Sequence, residues 1–176
     1  MVAMVRAHIV DPFLIQKTLD GRADEVMRCT GANECLAAPA KGRQVTCMMN
    51  PATGREREWG HGTLKVTSAR KRVLVVGGGP GGMKVAGVAA MRGHEVLLFE
   101  QADLLGGHLN LLKRLPTRGR WQTVIDYLEK VLVRNHVDVT LGVVSTLESL
   151  LEEKADAIIS ATGSTWAVSY THLTLP

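Results

Sequence analysis

The chain has 176 residues, 45% of them hydrophobic, 4% aromatic and 22% charged, with a formal net charge of +4. That length holds one domain with a proper core, or pieces of two. The basic residues are scattered (Arg6, Lys17, Lys71, Arg72, Lys113, Arg114), which argues against a nucleic-acid partner. No apolar run is long enough to span a bilayer, and the odd count of three cysteines argues against a secreted disulfide framework. An acid and a proline interrupt MVAMVRAHIVDPFL where a signal peptide needs an unbroken apolar core, so a cytoplasmic location is expected.

Three segments and a tail follow one another. Residues 1–28 read as a helix-containing piece, opened by Asp11-Pro12, with Leu14, Ile15 and Leu19 at helical spacing. Residues 29–70 read as a loop, with Gly42, Asn50-Pro51, Gly54, Gly60 and Gly62 as breakers. Residues 71–163 alternate strand and helix patterns. Val73–Val76 and Val96–Phe99 are apolar runs on either side of a helix-like segment. Arg120 to Asn135 is amphipathic, with Trp121, Val124, Ile125, Leu128, Val131 and Leu132 on one side. Val137–Leu141 alternates as a strand, Ser145 with Glu148 fits a capping box, and Ala155–Ala161 is a further strand. The alternation predicts an α/β fold: a parallel sheet with helices on both faces. The closing Ala167–Pro176, AVSYTHLTLP, resembles a transposon-type sequencing adapter translated in frame, so a non-native tail is expected, against the alternative of a natural frayed C-terminus.

The block Lys71–Glu100 carries the strongest functional signal. Gly77, Gly79 and Gly82 stand in GxGxxG spacing after a strand and before a helix. Gly77 permits the tight turn, Gly79 lets the backbone approach a pyrophosphate, and Gly82 lets helix and strand pack closely. The helix start offers free N–H groups and partial positive charge to phosphates. Glu100 ends the second strand, where a carboxylate accepts from ribose hydroxyls and repels a 2′-phosphate, so NADP is disfavoured at this turn. The Leu105–Leu109 stretch (LGGHL) and Ala161-Thr162-Gly163 resemble secondary motifs of flavoproteins with two dinucleotide sites, which favours FAD over NAD.

Cys29, Cys35 and Cys47 share a glycine-rich segment without a fourth cysteine. Two readings stand at this point: soft-metal ligation, or three unrelated reduced thiols. The six histidines show no metal-ligand spacing.

The order MVRAHIVDPFL, then the three cysteines and NPATGREREWG, then KRVLVVGGGPGGMKVA, resembles the 2,4-dienoyl-CoA reductase and trimethylamine dehydrogenase branch of the old yellow enzyme (NADH:flavin oxidoreductase) family. The resemblance covers residues 2–166. It implies an iron–sulfur flavoprotein oxidoreductase in which electrons pass between a dinucleotide cofactor, NAD(P)H or FAD, and FMN. The reactions implied are reduction of an activated alkene or oxidative demethylation of a methylated amine. By this resemblance residues 1–28 are the tail of an FMN-binding TIM barrel and residues 29–70 a 4Fe–4S loop with its linker. Residues 71–166 are then the first part of a Rossmann-like FAD/NAD(P)-binding domain. Arg6 matches an arginine that pairs with the FMN phosphate, a task suited to its bidentate fork. Gly77, Gly79, Gly82, Glu100 and Gly107 match the FAD or ADP site, and Cys29, Cys35 and Cys47 match three cluster ligands. The remaining family cysteine falls at Ala32, which leaves two possibilities: a cluster held by three thiolates and an outside ligand, or a cluster that is labile or absent. Substrate-binding and proton-donating residues are implied to lie in the barrel, outside this chain, and a chain of this extent is expected to be inactive alone. A different reading, a non-catalytic dinucleotide-binding module with a redox or zinc cysteine loop, stands beside this one.

Overall fold

The computed structural model describes residues 3–164. Ala167–Pro176, expected to be a non-native tail, lies outside the described residues. The first two helices are α1 (Val5–Val10) and α2 (Leu14–Leu19). The Leu14, Ile15, Leu19 repeat lies on α2, but Ile15 and Leu19 are exposed. Asp11, buried between the two helices, organises this region instead. Its carboxylate accepts from Lys17 Nζ at 2.6 Å, from the Phe13 N–H at 3.1 Å and from the Met27 N–H at 2.9 Å.

The 29–70 segment is less loop-like than its breakers suggest. It contains α3 (Glu34–Ala40), seven residues long, and the short α4 (Glu56–Trp59). Asn33 starts α3 from a left-handed conformation that asparagine tolerates better than most residues. Burial of Ala38 packs the helix down. Asn50-Pro51 is a clasp as well as a breaker: Asn50 Nδ2 and Thr53 Oγ1 both donate to the Ile9 carbonyl, at 2.9 and 3.2 Å.

Residues 71–164 form the parallel sheet that the alternation predicts. Its elements are β1 (Arg72–Val76), α5 (Pro80–Met91), β2 (Glu95–Phe99), α6 (Leu109–Leu112), α7 (Gln122–Arg134), β3 (Asp138–Thr140), α8 (Leu147–Glu152) and β4 (Ala157–Ser160). The strand order is β3-β2-β1-β4, all parallel, with Val75 opposite Leu98 and Ile159, and Leu98 opposite Val139. Alternation along the central strands sorts their side chains. Val73, Val75, Val96 and Leu98 join Met83 and Ala86 of α5 and Val124, Ile125, Leu128 and Leu132 of α7 in the main core. Leu74, Val76 and Phe99 face the other way, toward Val143, Leu150 and Ala155. The stripe expected on residues 120–135 is therefore the inward face of α7, with Gly119–Trp121 as a 3₁₀ turn before it. A Cβ on Gly87 would stand 2.7 Å from Val131 Cγ1, so this glycine sets how closely α5 and α7 approach.

Two boundaries differ from the sequence expectation. The box that starts α8 uses Thr146 and Ser149, not Ser145 and Glu148. That phase lets Leu150 reach the second face of the sheet. The strands β3 and β4 are shorter than the patterns that announced them, and among the described residues each pairs on one side only. Among the described residues no helix is long and apolar enough to cross a membrane.

Leu98 is fully buried in the central strand pair. Leu98→Ala is expected to cost about 2–5 kcal/mol of unfolding free energy, measured by denaturant titration. A loss below about 1 kcal/mol would contradict this core assignment.

Candidate dinucleotide site and cysteine cavity

The glycine turn sits where three segments cross. Its first residue, Gly77, has φ of 110°, a region that L side chains rarely adopt, and its N–H donates to the Phe99 carbonyl at 2.7 Å. A Cβ there would collide with the Ala161 carbonyl oxygen, and a Cβ on Gly82 would collide with the Gly77 carbonyl oxygen. These two glycines let the start of α5, β1 and the Ala161-Thr162-Gly163 segment touch backbone to backbone. The Ala161 N–H completes the junction by donating to the Val76 carbonyl at 2.7 Å.

Gly79 is different in kind. Its φ of −69° suits any residue, and a Cβ there would meet no described atom within 4 Å. The site therefore has open space over its middle glycine and backbone contact at its outer two. Pro80 occupies the first position of α5, whose missing N–H is no loss there. The N–H groups of the helix's first turn have no intrahelical acceptors, and the helix dipole adds positive potential at the same end.

Glu100 is buried, with 9% exposure. Its Oε2 accepts from the Gly78 N–H at 2.5 Å and its Oε1 from the Ala102 N–H at 2.8 Å. The acid thus holds the turn, and each oxygen keeps a further lone pair. The Leu105–Leu109 stretch folds over the same place. The Gly106 N–H donates to the Gly78 carbonyl at 2.8 Å, and a Cβ on Gly107 would lie 3.1 Å from Gly79 Cα. Gly77, Gly79, Gly82, Glu100 and Gly107, spread over 31 positions of the sequence, are therefore one cluster in space.

Lys84 carries no sequence motif, and sequence reasoning passed over it. It lies on α5 one turn beyond Pro80, and burial without a compensating acid holds its ammonium below the usual lysine range. A single lysine in a helical pattern gives no signal of such burial.

The second constellation lies at the other end of the chain. Cys29, Cys35 and Cys47 line one depression together with Arg6, Ala32, Asn33 and Glu34. The depression is shallow, with a cavity volume of about 20 Å³. Among the described residues no group of three or more His, Cys, Asp or Glu side chains converges on a single ion. The three thiols are unpaired. Arg6 is exposed on α1, and its Nη1 donates to Asn33 Oδ1 at 3.1 Å. It also lines a neighbouring depression with Cys29, Gly31 and Arg120. Arg6 and the cysteine segment, read separately in the sequence, are thus adjacent in space.

A parallel sheet with a glycine turn at the carboxyl end of its first strand, and an acid at the end of the next, defines a nucleotide-binding α/β domain. The particular family follows from comparison with known proteins. Residues 72–164 match the family described as FAD dependent oxidoreductase, and the chain belongs to that family. It is 40% identical to N,N-dimethylglycine/sarcosine dehydrogenase of Chromohalobacter salexigens, over 93% of this chain and 24% of that protein. It is 37% identical to the multifunctional alkene reductase/demethylase OYE of Caballeronia cordobensis, over 93% of this chain and 23% of that protein. Its fold matches histamine dehydrogenase from Rhizobium sp. 4-9 with a TM-score of 0.91 at 28% identity, covering 98% of this chain and 26% of that one. The chain thus spans about a quarter of the length of the curated relatives it matches. The resemblance drawn from the order of motifs is borne out, down to alkene reductases and methylated-amine demethylases as relatives.

Gly82→Ala is expected to cost about 1–3 kcal/mol in thermal or denaturant unfolding, because the added methyl must push backbone apart. Glu100→Gln is expected to cost about 1–3 kcal/mol as well, since an amide cannot accept from two N–H donors through both of its ends. Wild-type stability for either variant would contradict the junction described here.

Proposed function

We propose that this chain binds the ADP portion of FAD, with the pyrophosphate over Gly79 and the start of α5 and the ribose at Glu100. The observation that carries the proposal is the contrast within the turn. Gly77 and Gly82 are required by the protein's own packing, whereas Gly79 faces space that no described residue fills. The N–H groups at the start of α5 orient the pyrophosphate, and Glu100 orients the ribose while excluding a 2′-phosphate. Gly107, packed on Gly79, closes one wall. FAD, when bound, supplies the redox chemistry, and the residues here bind and orient it.

The wider reading is an iron–sulfur flavoprotein oxidoreductase that passes electrons between a dinucleotide cofactor, FAD or NAD(P)H, and FMN. In it Cys29, Cys35 and Cys47 hold an iron–sulfur cluster, and Arg6 holds the FMN phosphate. The clustering of those cysteines with Arg6 around one depression supports it. An activated alkene or a methylated amine is the proposed substrate class, supported by the relatives named above. Three unpaired thiols agree with a reducing, cytoplasmic setting.

Gly79→Val separates ligand binding from folding. The variant is expected to keep wild-type stability and to weaken FAD or ADP binding about tenfold or more, the equivalent of at least about 1.4 kcal/mol, in a calorimetric or fluorescence titration. Unchanged affinity in a folded variant would remove the pyrophosphate from this turn.

A further inference from the structure

We propose that the pocket beside α1 takes a phosphate monoester, held by Arg6 together with Arg120 of the turn before α7. The proposal rests on the reading of Arg6 as a phosphate-binding residue and adds a second arm from the nucleotide domain. The pocket has a cavity volume of about 310 Å³. Small-molecule sites span about 300–1,000 Å³, so this is room enough for one. Val5, Arg6, Ala7, Gly31 and Arg120 are among the lining residues, and no acidic side chain lines it. Two guanidinium groups thus share one pocket that holds no carboxylate.

Both arginines are positioned by the fold. Asn33 Oδ1 accepts from Arg6 Nη1 at 3.1 Å, which leaves the other N–H groups of that guanidinium for a ligand. Arg120 stands in the 3₁₀ turn Gly119–Trp121, where Trp121 is buried in the main core and Arg120 is exposed. Thr123 Oγ1 donates to the Arg120 carbonyl at 2.8 Å and secures the backbone of that turn. Among the described residues the Arg120 guanidinium has no hydrogen-bond or ion-pair partner. Arg22, Arg72 and Arg134, by contrast, each face a carboxylate. The pairs Lys130 with Asp24 and Arg134 with Glu25 join α7 to the segment after α2, at 3.2 and 3.0 Å. They help keep the two walls of the pocket together. A phosphate monoester carries a charge of about −1.5 to −2 near neutral pH and three terminal oxygens, so it can accept a fork from each arginine. A carboxylate offers one charge and two oxygens, which one fork satisfies.

The test titrates the full chain with FMN and with riboflavin, which lacks the phosphate, and follows binding by calorimetry. Arg6→Gln, Arg120→Gln and Arg118→Gln are compared with wild type, with circular dichroism as the control for folding. Arg118 neighbours Arg120 in sequence and does not line the pocket. FMN is expected to bind the wild type at least about tenfold more tightly than riboflavin. Arg6→Gln and Arg120→Gln are each expected to weaken FMN about tenfold and to leave riboflavin unchanged. Arg118→Gln is expected to match wild type, and inorganic phosphate to compete with FMN. Wild-type FMN affinity in Arg120→Gln, with a loss in Arg6→Gln, would overturn the proposal and leave Arg6 acting alone. An equal loss in Arg118→Gln would also overturn it, because general positive potential would then explain the binding. FMN bound no better than riboflavin, or unaffected by Arg6→Gln, would instead sink the reading of Arg6 itself.

Discussion

The carboxylate of Glu100 is the contact on which the nucleotide end of this molecule depends. Every polar group of that residue is used. Its N–H donates to the Thr140 carbonyl at 3.0 Å, its carbonyl accepts from the Val143 N–H at 3.0 Å, and its two carboxylate oxygens accept from Gly78 and Ala102. One residue therefore joins β2, the end of β3 and the glycine turn. Hydrogen bonds to an ionised acceptor are stronger than neutral ones, and burial strengthens them further. The turn's other contacts are backbone ones, from Gly77 to the Phe99 carbonyl and from Gly106 to the Gly78 carbonyl, because glycines contribute no side-chain packing. A rigid backbone cradle next to open space is what a phosphate group needs, and here the acid supplies the rigidity.

Much of this was legible in the sequence. Val73–Val76 and Val96–Phe99 are apolar on both faces because both lie inside a parallel sheet covered on both sides. The amphipathic stripe from Trp121 to Leu132 maps directly onto the inward face of α7. What the sequence hid were features decided by tertiary packing. The helix α3 contains a proline and a run of small residues, a weak pattern alone, and is fixed by burial of Ala38. At α8 two overlapping capping patterns compete, and the position of Leu150 against the sheet decides between them. The structural role of Glu100 was also hidden: nothing in the order of residues says that the acid ending β2 clasps the turn.

The cysteine segment shows the same division. Its three thiols stand 6 and 12 residues apart, and only folding brings them round one cavity. The fold does this with modest means. Asn50 and Thr53 hold the Ile9 carbonyl, and Met49 packs against the main core. Two ion pairs, Asp24 with Lys130 and Glu25 with Arg134, tie the region to α7. Such surface pairs contribute little each, and Met49 adds apolar packing against the main core. The outcome is a cavity held in a fixed relation to the nucleotide domain.

The central claim is that the glycine turn is a pyrophosphate cradle. A titration of unlabelled FAD into the ¹⁵N-labelled chain, followed by amide chemical shifts, tests it most directly. The account predicts saturable shifts concentrated at Gly78, Gly79, Gly81, Gly82 and Ala102, with the cysteine segment largely unmoved. Shifts centred elsewhere, or none at saturating FAD, would contradict it.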